Sequence, residues 1–235
     1  MNKKEEIVVY WSCANDEFMR MDEPFNVLKE YKKDKNIEDN GYLHCPAFKE
    51  ILNNKFGVRS LYEYDITINR DQGTAQSSLS QTFFDEFFLP RSKDWSLISM
   101  STWIYFFTEE EGLEISQMGG FLEDTDFTKN TMVIPGKMDI SKWFRPLELP
   151  VKLRKGVDVL KVSQGEPLFY ISFNTDKKIK FVKYKTTPEL VSHATDCTSI
   201  MQNKPRLNKL SYYYGLFTKH NMSKRILTEI KKNIF

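Results

Sequence analysis

The residues of this chain best able to do chemistry are its three histidines and three cysteines, and their spacing says how much they can do. His44, His193 and His220 form no His-x-His, His-x-Asp or His-x-x-x-His pair. That largely excludes a jelly-roll oxygenase or metal cupin, because such a centre needs imidazoles to hold the metal while leaving positions open. Cys13, His44, Cys45, His193 and Cys197 include zinc-ligand types, but the adjacent His44-Cys45 pair is poor chelating geometry and there is no Cys-x-x-Cys. No metal and no other cofactor is therefore expected. The sharpest enzyme hypothesis is a Cys45 nucleophile: it precedes Pro46 at a predicted helix start, where the thiolate is favoured, with His193 as its base. A packed free thiol is the more economical reading.

Two constellations use charge instead. Glu166, between Gly165 and Pro167, could join Arg145 and Arg154 as a polar site in the mouth of a barrel; the plainer reading is a turn carboxylate in a surface ion pair worth at most ~1 kcal/mol. From Lys204 onward eight basic residues face Glu229 alone. Lys209, Tyr213, Lys219, Lys224 and Arg225 form a candidate basic and aromatic surface, since lysines grip phosphates while rings stack on bases. The aromatics also recur at helical spacing, and a helix face docked on a sheet with lysines towards water explains them more simply. Glu109-Glu110-Glu111 reads as a solvated turn rather than a cation site, and neither standard phosphate loop occurs.

These groups must be positioned by a core rich in aromatics. With 18 Phe and 11 Tyr among 235 residues, most of the chain is too hydrophobic for disorder. The net charge of only +2 means the basic tail is balanced by an acidic remainder. No apolar run approaches the ~18 residues of a membrane helix, and the N-terminal apolar run is too short for a signal sequence. Three widely spaced cysteines fit reduced thiols and a cytoplasmic setting.

Strands are expected at 7–11 and 58–68, where Tyr64, Ile66 and Ile68 share a face, and at 83–89 and 131–134. A hairpin is expected from 95–108 and 113–118 around Gly112, and three consecutive strands at 157–162, 168–173 and 179–184. Residues 71–80 read as an exposed loop or hairpin tip, and Gly119-Gly120 as a bulge or sheet corner. Pro46 opens a helix that Gly57 would end, and Thr187 caps another with Pro188 in its first turn. The fold expected is mainly β: an antiparallel β sandwich or jelly-roll-like barrel with C-terminal helices packed on it, α+β overall. It forms one domain over 1–235, with a β-rich core at about 7–185 and a helical part at about 187–235.

The runs Asp139-Ile-Ser-Lys-Trp-Phe-Arg-Pro146, Leu153-Arg-Lys-Gly156 and Gln164-Gly-Glu-Pro-Leu-Phe-Tyr-Ile-Ser-Phe173 resemble an uncharacterised family encoded by large tailed phages and some bacteria. Cys45-Pro-Ala-Phe48 is similar to its phage members. The resemblance implies a phage gene product made in the bacterial host cytoplasm, with the virion as a further location, and no catalytic residue. The function expected is non-catalytic binding through a protein partner or self-association, in virion assembly or on a host protein. The alternatives are an enzyme with a small-molecule pocket in the barrel mouth, and nucleic-acid binding by the basic tail. No membrane partner is expected.

Overall fold

A computed structural model describes residues 6–14, 21–33, 44–202, 215 and 222–235, the side chains of 199–202 excepted. The first half runs β1 (Glu6–Cys13), β2 (Phe25–Asn26), α1 (Val27–Lys33), α2 (Pro46–Leu52), β3 (Lys55–Arg59), β4 (Tyr64–Asn69), β5 (Thr74–Ser77), α3 (Gln81–Phe87), β6 (Phe88–Pro90) and β7 (Leu97–Thr108). The second runs β8 (Glu114–Gly119), α4 (Asp126–Asn130), β9 (Thr131–Val133), β10 (Gly136–Asp139), β11 (Pro146–Leu153), β12 (Val159–Val162), β13 (Pro167–Phe173), β14 (Lys178–Lys183), α5 (Pro188–Gln202) and α6 (Met222–Lys232). The fold is mainly β, with several antiparallel sheets and accompanying helices.

One sheet has the order β14-β1-β7-β11-β9, with β6 also on β7; a second has β10-β8-β13-β3-β2; a third has β12-β4-β5. Val9 and Trp11 of β1, Ile98 and Phe106 of β7, Phe169 and Ile171 of β13, and Ile66 and Leu160 of the third sheet share one buried cluster. The opposite face of the first sheet, with Tyr10, Tyr105 and Phe107, is covered by Leu190 and Cys197 of α5 and Ile226 and Ile230 of α6. On the far side of the second sheet Tyr170 packs with Val27 of α1 and Leu52 of α2. β1 and β7 are covered on both faces, which explains their nearly unbroken apolar runs; β4, with one face in water, alternates strictly between buried and exposed.

Several neighbours differ from those the sequence suggests. β7 and β8 are not a hairpin: the chain leaves the first sheet after Thr108 and enters the second at Glu114. The consecutive β12, β13 and β14 lie in three different sheets. Alternation specifies which face a residue occupies and leaves the partner strand open. β14 pairs with β1 in parallel, Ile7 opposite Ile179, a departure from an all-antiparallel core. Residues 81–87 are helical: Ser80 caps the helix by accepting from the Phe83 N–H, and Phe84 and Phe87 form its buried face. The hairpin tip at 71–73 is found, with Thr74–Ser77 becoming a strand.

Gly57 lies inside β3 rather than ending a helix. A Cβ there would stand 2.1 Å from Phe25 Cζ, so the glycine lets the Phe25 ring rest on the strand. The helix expected after Thr187 is present, Thr187 Oγ1 accepting from the Leu190 N–H at 3.3 Å.

Candidate functional site

The most irregular stretch of the sheets lies between β7 and β11. Pro146 pairs with Tyr105 but Glu148 with Ser101, so β7 carries two extra residues over that interval. Trp103, within the bulge, has φ +52°, a left-handed conformation that costs a bulky residue of the order of 1–3 kcal/mol. Three contacts hold it. The Thr102 hydroxyl donates to the Leu147 carbonyl, the Trp103 carbonyl accepts from the Ala14 N–H at 2.9 Å, and the indole packs edge-on against Phe83 and Phe87.

Beside the bulge, Arg145 sits in the bend just before β11 and Glu148 on the strand itself. Here Arg145 Nη2 reaches Glu148 Oε1 at 3.2 Å, while Glu148 Oε2 accepts from Arg91 Nη2 at 2.8 Å and from the Ser99 hydroxyl at 3.0 Å. The shared carboxylate thus draws together two guanidiniums from different strand ends. They line a pocket of about 310 Å³, together with Gln117, Met138, Trp143 and Leu147. Lys137 stands in the lining and pairs with Glu114 at 2.8 Å. Among the described lining residues Glu148 is the one carboxylate, so the wall is richer in positive charge than in negative.

Gln117 faces the same space from β8. It is 7% exposed, and its amide oxygen is buried without a hydrogen-bond partner. An unmade bond of this kind costs about 1–3 kcal/mol, which a donor arriving from a ligand would recover. The segment leading into Arg145 is fixed by Asp139, which accepts from the Ser141 hydroxyl and N–H and from Lys142 Nζ. Burial alone would push the Asp139 carboxyl up; these bonds outweigh it and hold the group below its usual value.

A second polar cluster is closed on itself. Glu123 accepts from the Tyr31 hydroxyl at 2.9 Å and from the Tyr170 hydroxyl at 2.5 Å and 2.6 Å. Burial, reinforced by this carboxylate, pushes both phenols above their ordinary range, so they act as donors. A Cβ at Gly120 would lie 2.4 Å from Glu123 Oε2, which gives Gly120 a role in admitting this side chain. Beside it Arg59 sits 4.2 Å over the Phe25 ring and donates to Glu30 and the Gly165 carbonyl. The cluster ties α1 to β13 and to the loop before α4, the geometry of a clasp.

The other candidates are scattered. Arg145 and Arg154 bracket β11 and stand roughly 25–30 Å apart along it, so they do not line one site. Glu166, on the turn before β13, is absent from the Arg145 pocket. Cys45 is exposed at the start of α2, on the outer side of the second sheet, whereas His193 lies on α5 beyond the first sheet; nucleophile and base are separated by both sheets. Cys13 is buried between the sheets and Cys197 under the helices, and no group of three potential metal ligands occurs among the described residues. Lys224 and Arg225 are exposed on α6, while Lys209, Tyr213 and Lys219 lie outside the described residues. The Glu109 to Glu111 turn is exposed as expected, and within it Glu109 meets Lys231 and Tyr10 and Glu110 meets Lys177.

Arg91 and Gln117 were not apparent from sequence. Arg91 follows a proline at a strand end and Gln117 sits in an ordinary alternation, so only the pairing of β6 with β7 and the packing of the second sheet bring them to Arg145. No helix among the described residues is long and apolar enough to cross a membrane. No protein-family model and no curated protein matches the chain.

Proposed function

We propose that this chain is a phage-encoded, non-catalytic binding protein that works by protein–protein contact in the host cytoplasm, with the Arg91–Glu148–Arg145 pocket as its contact site. The observation that carries this reading is how Glu148 is used. Two guanidiniums and a hydroxyl converge on it, so both of its carboxylate oxygens are already engaged as hydrogen-bond acceptors within the protein. What the pocket offers a visitor is guanidinium N–H groups, an amide oxygen and apolar walls, a recognition set. The resemblance of Asp139 to Pro146 to a phage family bears on the same place, because Trp143, Arg145 and Pro146 form part of the wall. The finer fold reading is a β sandwich rather than a jelly roll, supported by the core that the first two sheets share.

The test uses Lys137, which is 66% exposed at the pocket. With the full chain produced during phage infection, amine-reactive cross-linking should yield a defined polypeptide joined through Lys137. Arg91→Ala should remove that product while leaving cross-links at distant lysines unchanged. A Lys137 pattern unaffected by Arg91→Ala would refute the contact site.

A further inference from the structure

We infer that the pocket recognises the free C-terminus of a partner polypeptide ending in an aliphatic residue. The inference rests on the protein-binding reading above and names the chemistry that reading leaves open. Three features of one lining are complementary to three features of such a terminus. Of the five N–H donors on the Arg91 guanidinium, the described contacts engage one, on Glu148, leaving donors for a terminal carboxylate. The buried Gln117 amide oxygen lacks a donor, and the last peptide N–H, a short reach from that carboxylate, supplies one. Ile115, Met138, Trp143 and Leu147 give an aliphatic side chain an apolar seat. The volume of about 310 Å³ lies at the small end of ligand pockets, which suits one terminal residue rather than a long segment.

Charge selects in the same direction. The Arg91 guanidinium keeps donors beyond the one on Glu148, so an amidated or internal peptide segment, having no carboxylate to offer them, would forgo the strongest available interaction. The orphaned Gln117 oxygen selects further, because a simple fatty acid carries the carboxylate and the apolar tail but no N–H.

The experiment is calorimetric titration of the full chain with acetyl-Gly-Gly-Leu carrying a free carboxylate, and with the same peptide as its C-terminal amide. The acid should bind at least tenfold more tightly than the amide. Arg91→Gln should weaken the acid about tenfold without moving the melting temperature. Gln117→Leu should weaken it severalfold while raising the melting temperature, since the orphaned acceptor is gone; a Gln117 already satisfied in the free protein would give the opposite thermal shift. Equal binding of acid and amide, or binding of neither, would overturn the inference. If the Lys137 cross-links persist and remain dependent on Arg91 in that case, the C-terminal specificity alone falls. Without them the contact site falls too.

Discussion

Glu166 shows at the scale of one residue how a carboxylate that looks functional in sequence can be a cost borne by the fold. Its Oε1 is buried without a partner, close to the equally unpartnered Tyr64 hydroxyl, and burial raises its pKa above 4.5. A raised carboxylate contributes stability that is complete below its unfolded pKa and disappears as pH climbs through the folded value. Glu166→Gln should therefore melt about 2 °C higher than the native chain at pH 7 and no higher at pH 4, as followed by circular dichroism. A lower melting point at pH 7 would mean the ionised carboxylate has a stabilising partner. Gly57 carries the opposite lesson, being essential where sequence made it a helix end. Gly57→Ala drives a methyl into the Phe25 ring and should cost about 1–3 kcal/mol in urea denaturation. In a double-mutant cycle Phe25→Ala should recover most of that loss, because the three atoms nearest the added methyl all belong to that ring.

Elements were legible where one period fits the apolar residues, in half-exposed β4 and in the covered β1 and β7 alike, and obscure where two periods fit. Tyr64, Ile66 and Ile68 announced β4, and Thr187-Pro188 announced α5. The four phenylalanines at 83, 84, 87 and 88 satisfy a helical face as well as an apolar strand, and the Ser80 cap decides between them. Least visible was the bulge in β7, since nothing in Thr102-Trp103-Ile104 marks two extra residues opposite the start of β11. Its strain can be measured by comparing two truncations that both delete the indole. Glycine ordinarily ranks below alanine in a strand. At φ +52° the order should invert, with Trp103→Gly the more stable by about 1 kcal/mol and both variants below the native chain. An alanine variant at least as stable as the glycine one would mean the backbone there is unstrained.

Across the whole molecule, strand neighbours were hidden because connections cross between sheets, but the coarse order of a β core followed by helices was readable in the change of periodicity after Thr187. The structure adds that the helices close the core. α6 buries Ile226 and Ile230 against Tyr10, Tyr105 and Phe107, and Lys231 reaches Glu109 at 2.7 Å beside the Tyr10 hydroxyl. Removing Lys204 to Phe235 would strip this layer from a sheet whose outer face is aromatic, so loss of nucleic-acid binding in such a truncation could not be separated from loss of fold. Point changes separate the two. Ile230→Ala, at a fully buried site, should cost about 2–5 kcal/mol by urea denaturation. The exposed pair Lys224→Glu and Arg225→Glu should move stability by no more than about 0.5 kcal/mol, because neither carries an ion pair among the described residues. A basic surface used for nucleic acid would lose salt-dependent binding to single-stranded DNA on that double reversal. Unchanged weak retention would assign the exposed lysines of α6 to solubility and leave its buried face as the reason the helix exists.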